Sequence, residues 1–169
     1  TLNVTNDQFM RGGDLTFSGE SRAGIYNHGT IRALEGDIYL IGTNVANHGV
    51  IQASNGTVGL LAGQSVTLVD GERPHLPVTA NGKSISETGV TNTGLIEAVQ
   101  VELAANGGNV YALAINNEGT IRVTGSETSG GRIYLRANGG KINTSGDLIA
   151  KRGSNGGDVV IDAGGTPGS

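Results

Sequence analysis

Short runs in which apolar and polar residues alternate recur along the whole chain, and a turn signal precedes each run. The first clear example follows Asn27-His28-Gly29 and reads Thr30-Ile31-Arg32-Ala33, which places Ile31 and Ala33 on one face. A run of this kind, with a period of two residues, is typical of a short β-strand with one buried side. The pattern predicts an all-β chain of many short strands joined by turns.

The strand motif is repeated, and the repetition decides the predicted architecture. Copies of Asn-x-Gly followed by an apolar strand have their glycines 20, 45, 25 and 27 residues apart, at Gly29, Gly49, Gly94, Gly119 and, in a weaker copy, Gly146. A second motif, a strand led by glycine, covers 36–40, 56–60, 131–135 and 157–161, with 108–112 assigned to the same set. Because one such strand cannot bury its apolar face alone, successive copies are expected to stack as parallel strands.

This stacking predicts one β-solenoid domain over residues 1–163, with coils of 20–27 residues, and a flexible tail over 164–169. The 45-residue interval between Gly49 and Gly94 has room for an insertion. Its strand-like segments 66–69 and 76–80 predict a β-hairpin at 64–82 that protrudes from the stack. Two of the three prolines lie there, which suits an appendage outside a regular sheet.

Composition narrows the class of protein. Of the 169 residues 30 are glycine, against an average of about 7%, but there is no Gly-X-Y period, so collagen is excluded. Glycine also disfavours a helical bundle. Aromatic residues make up only 4% of the chain, which predicts a slender aliphatic core. The absence of cysteine excludes disulfides, and a pI near 5.3 argues against nucleic acid as a partner.

The asparagines of the repeated motif are the first candidate functional residues. They occupy equivalent turns, so we expect them to form a structural ladder between coils. Sugar or metal binding is the alternative, but asparagine is a poor sole ligand. The glycine two residues later suits either a positive φ or a close approach of coils. The ladder residues are Asn27, Asn47, Asn92 and Asn117.

Outward strand positions provide a candidate interaction surface. Tyrosines are predicted in one column and could stack on glycans. A second column contains Glu97 and Arg122, which we expect to pair across neighbouring strands. His28 and His48 share a motif position and are interpreted as exposed turn residues. The candidate surface comprises the tyrosines Tyr39, Tyr111 and Tyr134 and the hairpin tip Arg73, Pro74 and His75.

Grouped carboxylates would indicate an enzyme that acts on polysaccharides. A glycosidase pair needs carboxyl groups about 5 to 9.5 Å apart, whereas the acidic residues are spread one to a coil. We therefore predict no catalytic, cofactor or metal site. The enzyme alternative requires convergence of Asp37, Glu97, Asp147 and Asp158.

Several segments resemble the filamentous haemagglutinin family of exoproteins, which bacteria secrete by the two-partner pathway. The resemblance covers nearly the whole chain and rests on segments 1–10, 15–19, 27–31, 56–63, 108–117 and 130–133. It implies a right-handed parallel β-helix that is exported through an outer-membrane partner transporter. It also implies that the chain corresponds to the portion downstream of the family's Asn-Pro-Asn-Gly type motif and lies outside the cell, on the bacterial surface.

From these observations we expect a non-enzymatic structural or adhesive segment of a secreted surface protein. A stiff rod would display its hairpin and outer columns to a glycan or cell-surface receptor, without a cofactor. Unpaired strand edges at the ends of the solenoid would also favour end-to-end assembly into filaments. The alternative is a polysaccharide-acting or glycan-binding β-solenoid.

Overall fold

The computed structural model describes residues 2–68, 89–106, 113–125 and 130–164. These residues form one short helix and sixteen strands. The elements are α1 (Asn6–Arg11), β1 (Leu15–Ser18), β2 (Ile25–Asn27), β3 (Thr30–Ala33), β4 (Ile38–Gly42), β5 (Val45–Asn47), β6 (Val50–Ala62), β7 (Ser65–Leu68), β8 (Val90–Asn92), β9 (Leu95–Ala105), β10 (Leu113–Asn117), β11 (Thr120–Val123), β12 (Arg132–Ala137), β13 (Lys141–Thr144), β14 (Leu148–Arg152), β15 (Asn155–Gly156) and β16 (Asp158–Asp162).

Parallel pairing between copies of the repeated motif organises the sheets. One five-stranded sheet has the order β13-β10-β8-β5-β2, and every pair in it is parallel. In the larger sheet, β6 and β9 are long strands whose first halves continue the β3 and β11 ladder and whose second halves continue the β4 and β12 ladder. The prediction of an all-β chain with parallel strands is confirmed.

Each repeat contributes one layer to these sheets, and equivalent motif positions face one another. Ile31 pairs with Ile51, Ile51 with Ile96, and Ile96 with Ile121. We call the five layers repeats one to five, from the N-terminal end. Their strands are β2, β3 and β4; β5 and β6; β8 and β9; β10, β11 and β12; and β13, β14 and β16.

The core lies between the two parallel sheets and consists of aliphatic side chains. Ile51, Ile96 and Ile121 are fully buried, as are Leu60 and Leu103 in the second halves of the long strands. Burial of such a side chain contributes about 1.5 to 3 kcal/mol. Alternation along each strand therefore gives every repeat an inward apolar set, and stacking removes that set from water.

A short antiparallel pair lies outside the parallel sheets. Strand β1 pairs with β7, and the hydroxyls of Thr16 and Thr67 are 2.9 Å apart across the pair. Val66 of β7 packs with Leu61 and Ala104, which point outward from the long strands, in a second apolar cluster. This layer covers part of the outer surface of the larger sheet.

Strand β7 is the described part of the predicted hairpin. The hairpin prediction paired it with 76–80, but those residues and the tip lie outside the described residues. The pairing of β7 with β1 was not predicted. Of the tail predicted over 164–169, the structure describes only Gly164. Its N–H donates to Asp162 Oδ1 at 2.9 Å.

The short helix α1 was also not predicted. Thr5 caps it, because its hydroxyl accepts a hydrogen bond from the N–H of Gln8 at 3.2 Å. Gly12, with a φ of +66°, follows the last helical residue. The Thr-x-x-Gln spacing is a capping signature that could have identified the helix. Among the described residues, no helix is long and apolar enough to cross a membrane.

Candidate functional site

A column of asparagine side chains runs through all of the first four repeats. Asn27 Nδ2 donates to Asn47 Oδ1 at 2.8 Å, and Asn47 Nδ2 donates to Asn92 Oδ1 at 2.9 Å. Asn92 Nδ2 then donates to Asn117 Oδ1 at 2.8 Å. In the fifth repeat a hydroxyl replaces the amide, and Asn117 Nδ2 donates to Thr144 Oγ1 at 3.3 Å. The structure thus brings the four predicted ladder residues together in one chain of hydrogen bonds.

Each of these amides also closes its own turn. Asn47 Oδ1 accepts from the N–H of Gly49 at 3.3 Å, and Asn47 Nδ2 donates to the Gly49 carbonyl at 3.3 Å. Asn27 makes the same two contacts with Gly29, both at 3.2 Å. Asn47, Asn92 and Asn117 are fully buried. A sugar or a metal ion outside the protein cannot reach these side chains, so their role in this structure is to hold the stack together.

The motif glycines form a second column beside the asparagines. A Cβ atom at Gly49 would overlap the carbonyl oxygen of Gly29, and one at Gly94 would overlap that of Gly49. The same overlap recurs at Gly119 and Gly146. None of these glycines has a positive φ. Of the two explanations that the sequence allowed, close approach of neighbouring repeats is therefore the correct one.

The carbonyl groups in this column link the repeats. The N–H of Val50 donates to the Gly29 carbonyl at 2.8 Å, and the N–H of Leu95 donates to the Gly49 carbonyl at 2.9 Å. A side chain on the glycine would displace the carbonyl oxygen that accepts this bond. The requirement for glycine is thus set by the layer spacing, which parallel strands hold near 4.8 Å.

On the outside of the larger sheet, polar side chains form a continuous row. Arg32 Nε donates to Gln52 Oε1 at 2.9 Å, and Gln52 Nε2 donates to Glu97 Oε2 at 2.7 Å. Arg122 completes the row with an ion pair to Glu97 at 2.7 Å. The structure therefore contains the pair predicted between Glu97 and Arg122. Because 48% of the Arg122 side chain is exposed, water and salt screen this pair.

The two motif histidines stack on one another. The ring centroids of His28 and His48 are 4.9 Å apart, at an interplanar angle of 15°, and both residues are exposed. His48 Nδ1 lies 2.8 Å from the hydroxyl of Thr93, which holds the same position in the third repeat. No cluster of three His, Cys, Asp or Glu residues that could hold a metal ion occurs in the described part of the chain.

The predicted tyrosine column is different in the structure. Tyr39 pairs with Gly59, Gly59 with Glu102, and Glu102 with Tyr134. Glu102 thus has the place between Gly59 and Tyr134 that the prediction gave to Tyr111, which itself lies outside the described residues. The prediction failed because the 108–112 motif was aligned with the wrong strand. The described partner of β6 and β12 is the second half of β9.

Tyr134 is a further correction. It was a candidate for an outward-facing interaction surface, but only 4% of its surface is exposed. The guanidinium carbon of Arg136 lies 5.0 Å from the centre of the Tyr134 ring. A cation over the face of an aromatic ring is a favourable contact, and it occupies the surface on which a sugar would stack.

Glu102 is a buried carboxylate that was not predicted from the sequence. It is fully buried, although its strand position points away from the aliphatic core. The alternation in Val101-Glu102-Leu103 could have placed it in the outward column, but burial on that side could not be read from periodicity. Burying a carboxylate costs a large amount of free energy. Glu102 is thus a costly polar residue in an otherwise apolar outer layer.

Tyr39 is the half-buried member of the column. A Cβ atom at Gly59 would meet the Tyr39 ring, so the glycine makes room for the aromatic side chain. The Tyr39 hydroxyl donates to Asp37 Oδ2 at 3.0 Å. Burial, the charge of Asp37 and its hydrogen bond, and the charge of Glu102 all raise the pKa of Tyr39 above its usual value. The side chain is therefore a neutral hydrogen-bond donor at any physiological pH.

The raised pKa of Tyr39 predicts a loss of stability in strong alkali. Because the folded state favours the neutral phenol, its stabilising effect is complete below the unfolded pKa of about 10 and is lost as the pH rises through the folded pKa. Absorbance titration should show a late tyrosine phase, at a pH above the usual value for a phenol. Tyr39→Phe should remove that late phase and flatten the alkaline stability profile. A late phase that persists in Tyr39→Phe would contradict this assignment.

The acidic residues named by the enzyme alternative have separate positions. Asp37 is in the first repeat, where Oδ1 accepts from the N–H of Thr57 at 2.7 Å. Glu97 is in the third repeat and pairs with Arg122 of the fourth, and Asp158 is in the fifth, 3.5 Å from Arg132 of the fourth. Four layer spacings separate Asp37 from Asp158, or about 19 Å at the usual strand spacing. Asp147 also belongs to the fifth repeat, so the four carboxylates do not share one site.

The remaining candidate residues, Arg73, Pro74 and His75, lie outside the described residues. Comparison with known proteins found no match to this chain, either among family models or among curated proteins.

Proposed function

We propose that the chain is a right-handed parallel β-helix that forms a structural segment of a secreted bacterial surface protein of the filamentous haemagglutinin type. The observation that carries the proposal is the repetition of the same contacts from layer to layer. Asparagine bonds to asparagine, glycine stacks on glycine, and isoleucine pairs with isoleucine across successive repeats.

Such columns support a mechanical role. Each repeat contacts mainly its neighbours, and a structure built in this way extends in one dimension. The fully buried aliphatic core and the buried amide ladder resist shear between layers. The segment acts as a spacer that holds other parts of the protein away from the cell.

The proposal includes a route and a location. The protein is exported through an outer-membrane partner transporter and works outside the cell. The outer row of Arg32, Gln52, Glu97 and Arg122 is a continuous polar surface that could meet a glycan or a cell-surface receptor. The hairpin tip Arg73, Pro74 and His75 belongs to the same proposed interaction surface.

The segment is proposed to be non-enzymatic. Three of the four carboxylates of the alternative, Asp37, Glu97 and Asp158, lie in different repeats, and each has its own polar partner. A polysaccharide-acting enzyme needs two carboxyl groups on one sugar bond. The distribution of acidic residues therefore favours a scaffold over a hydrolase.

Two measurements test the proposed function. Antibodies to the purified chain should label intact producing cells, with a cytoplasmic protein as the negative control. The chain should release no reducing ends from a panel of neutral and acidic polysaccharides. Turnover that is lost in Asp37→Asn or Glu97→Gln would overturn the proposal in favour of the enzyme alternative. Labelling only after cell lysis would overturn the proposed location.

A further inference from the structure

No further inference is drawn: the strongest candidate, the pocket on strand β14 that Arg122, Ile149 and Lys151 line, lies at the C-terminal end of the stack, where its openness reflects only where the sequence ends.

Discussion

Gly94→Ala is expected to lower the free energy of unfolding by about 3 kcal/mol or more, at the upper end of the range for overpacked sites. The added Cβ would overlap the Gly49 carbonyl oxygen and press against the Gly49 nitrogen and the Asn47 amide. These neighbours are backbone and ladder atoms, so they cannot move aside as a flexible side chain would. Relief of the overlap requires the third repeat to separate from the second. Chemical denaturation of both proteins measures the difference.

Gly29→Ala is the matched control for this substitution. It makes the same chemical change at the same motif position, but it meets nothing among the described residues. It should leave stability unchanged or raise it by up to about 1 kcal/mol, because alanine restricts the unfolded chain. Equal losses at Gly29 and Gly94 would contradict the close-approach explanation and point to a conformational need for glycine at both sites.

Asn92→Ala is expected to lower the free energy of unfolding by about 3 to 4 kcal/mol. Asn92 is fully buried and lies in the middle of the ladder. Its removal takes the acceptor from Asn47 Nδ2 and the donor from Asn117 Oδ1. Each buried polar group left without a partner costs about 1 to 3 kcal/mol. The midpoint of a denaturation curve reports the loss, provided that its slope does not change.

A double substitution tests whether the ladder acts as a unit. In Asn47→Ala with Asn92→Ala, the bond between the two residues is lost only once, so the combined loss should be smaller than the sum of the two single losses. Asn27→Ala, at the end of the ladder, breaks a single bond between asparagines and should cost less than Asn92→Ala. Strict additivity, or a larger loss at Asn27, would show that the amides act separately.

The repeated motif made much of the stack predictable. Alternation at Ile31 and Ala33 identified the inward face, and the recurrence of Asn-x-Gly aligned the repeats with one another. In parallel strands that are stacked one above another, equivalent positions face each other, so sequence alignment and spatial register coincide. For this reason Asn27 and Asn47, and Glu97 and Arg122, were placed near one another from sequence alone.

Prediction was weaker where the motif was loose. The glycine-led strand has no strict signature, so 108–112 was placed in the column to which Gln100, Val101 and Glu102 belong. The enzyme alternative required four acidic residues to converge, but the structure places them in the first, third and fifth repeats. Helix α1 was missed because its evidence is one capping pair, Thr5 and Gln8, rather than a long apolar period.

By itself, the sequence determined the strand class, the inward aliphatic positions and the order in which repeats stack. These properties are local or are repeated along the chain, and both kinds of information can be read from residue spacing. Only the tertiary structure decided that β7 pairs with β1, that Tyr134 and Glu102 are buried, and that Gly49 is needed for space. Those outcomes depend on which distant segment covers an outward face and on how closely two backbones approach. Neither can be read from the spacing of apolar and polar residues along the chain.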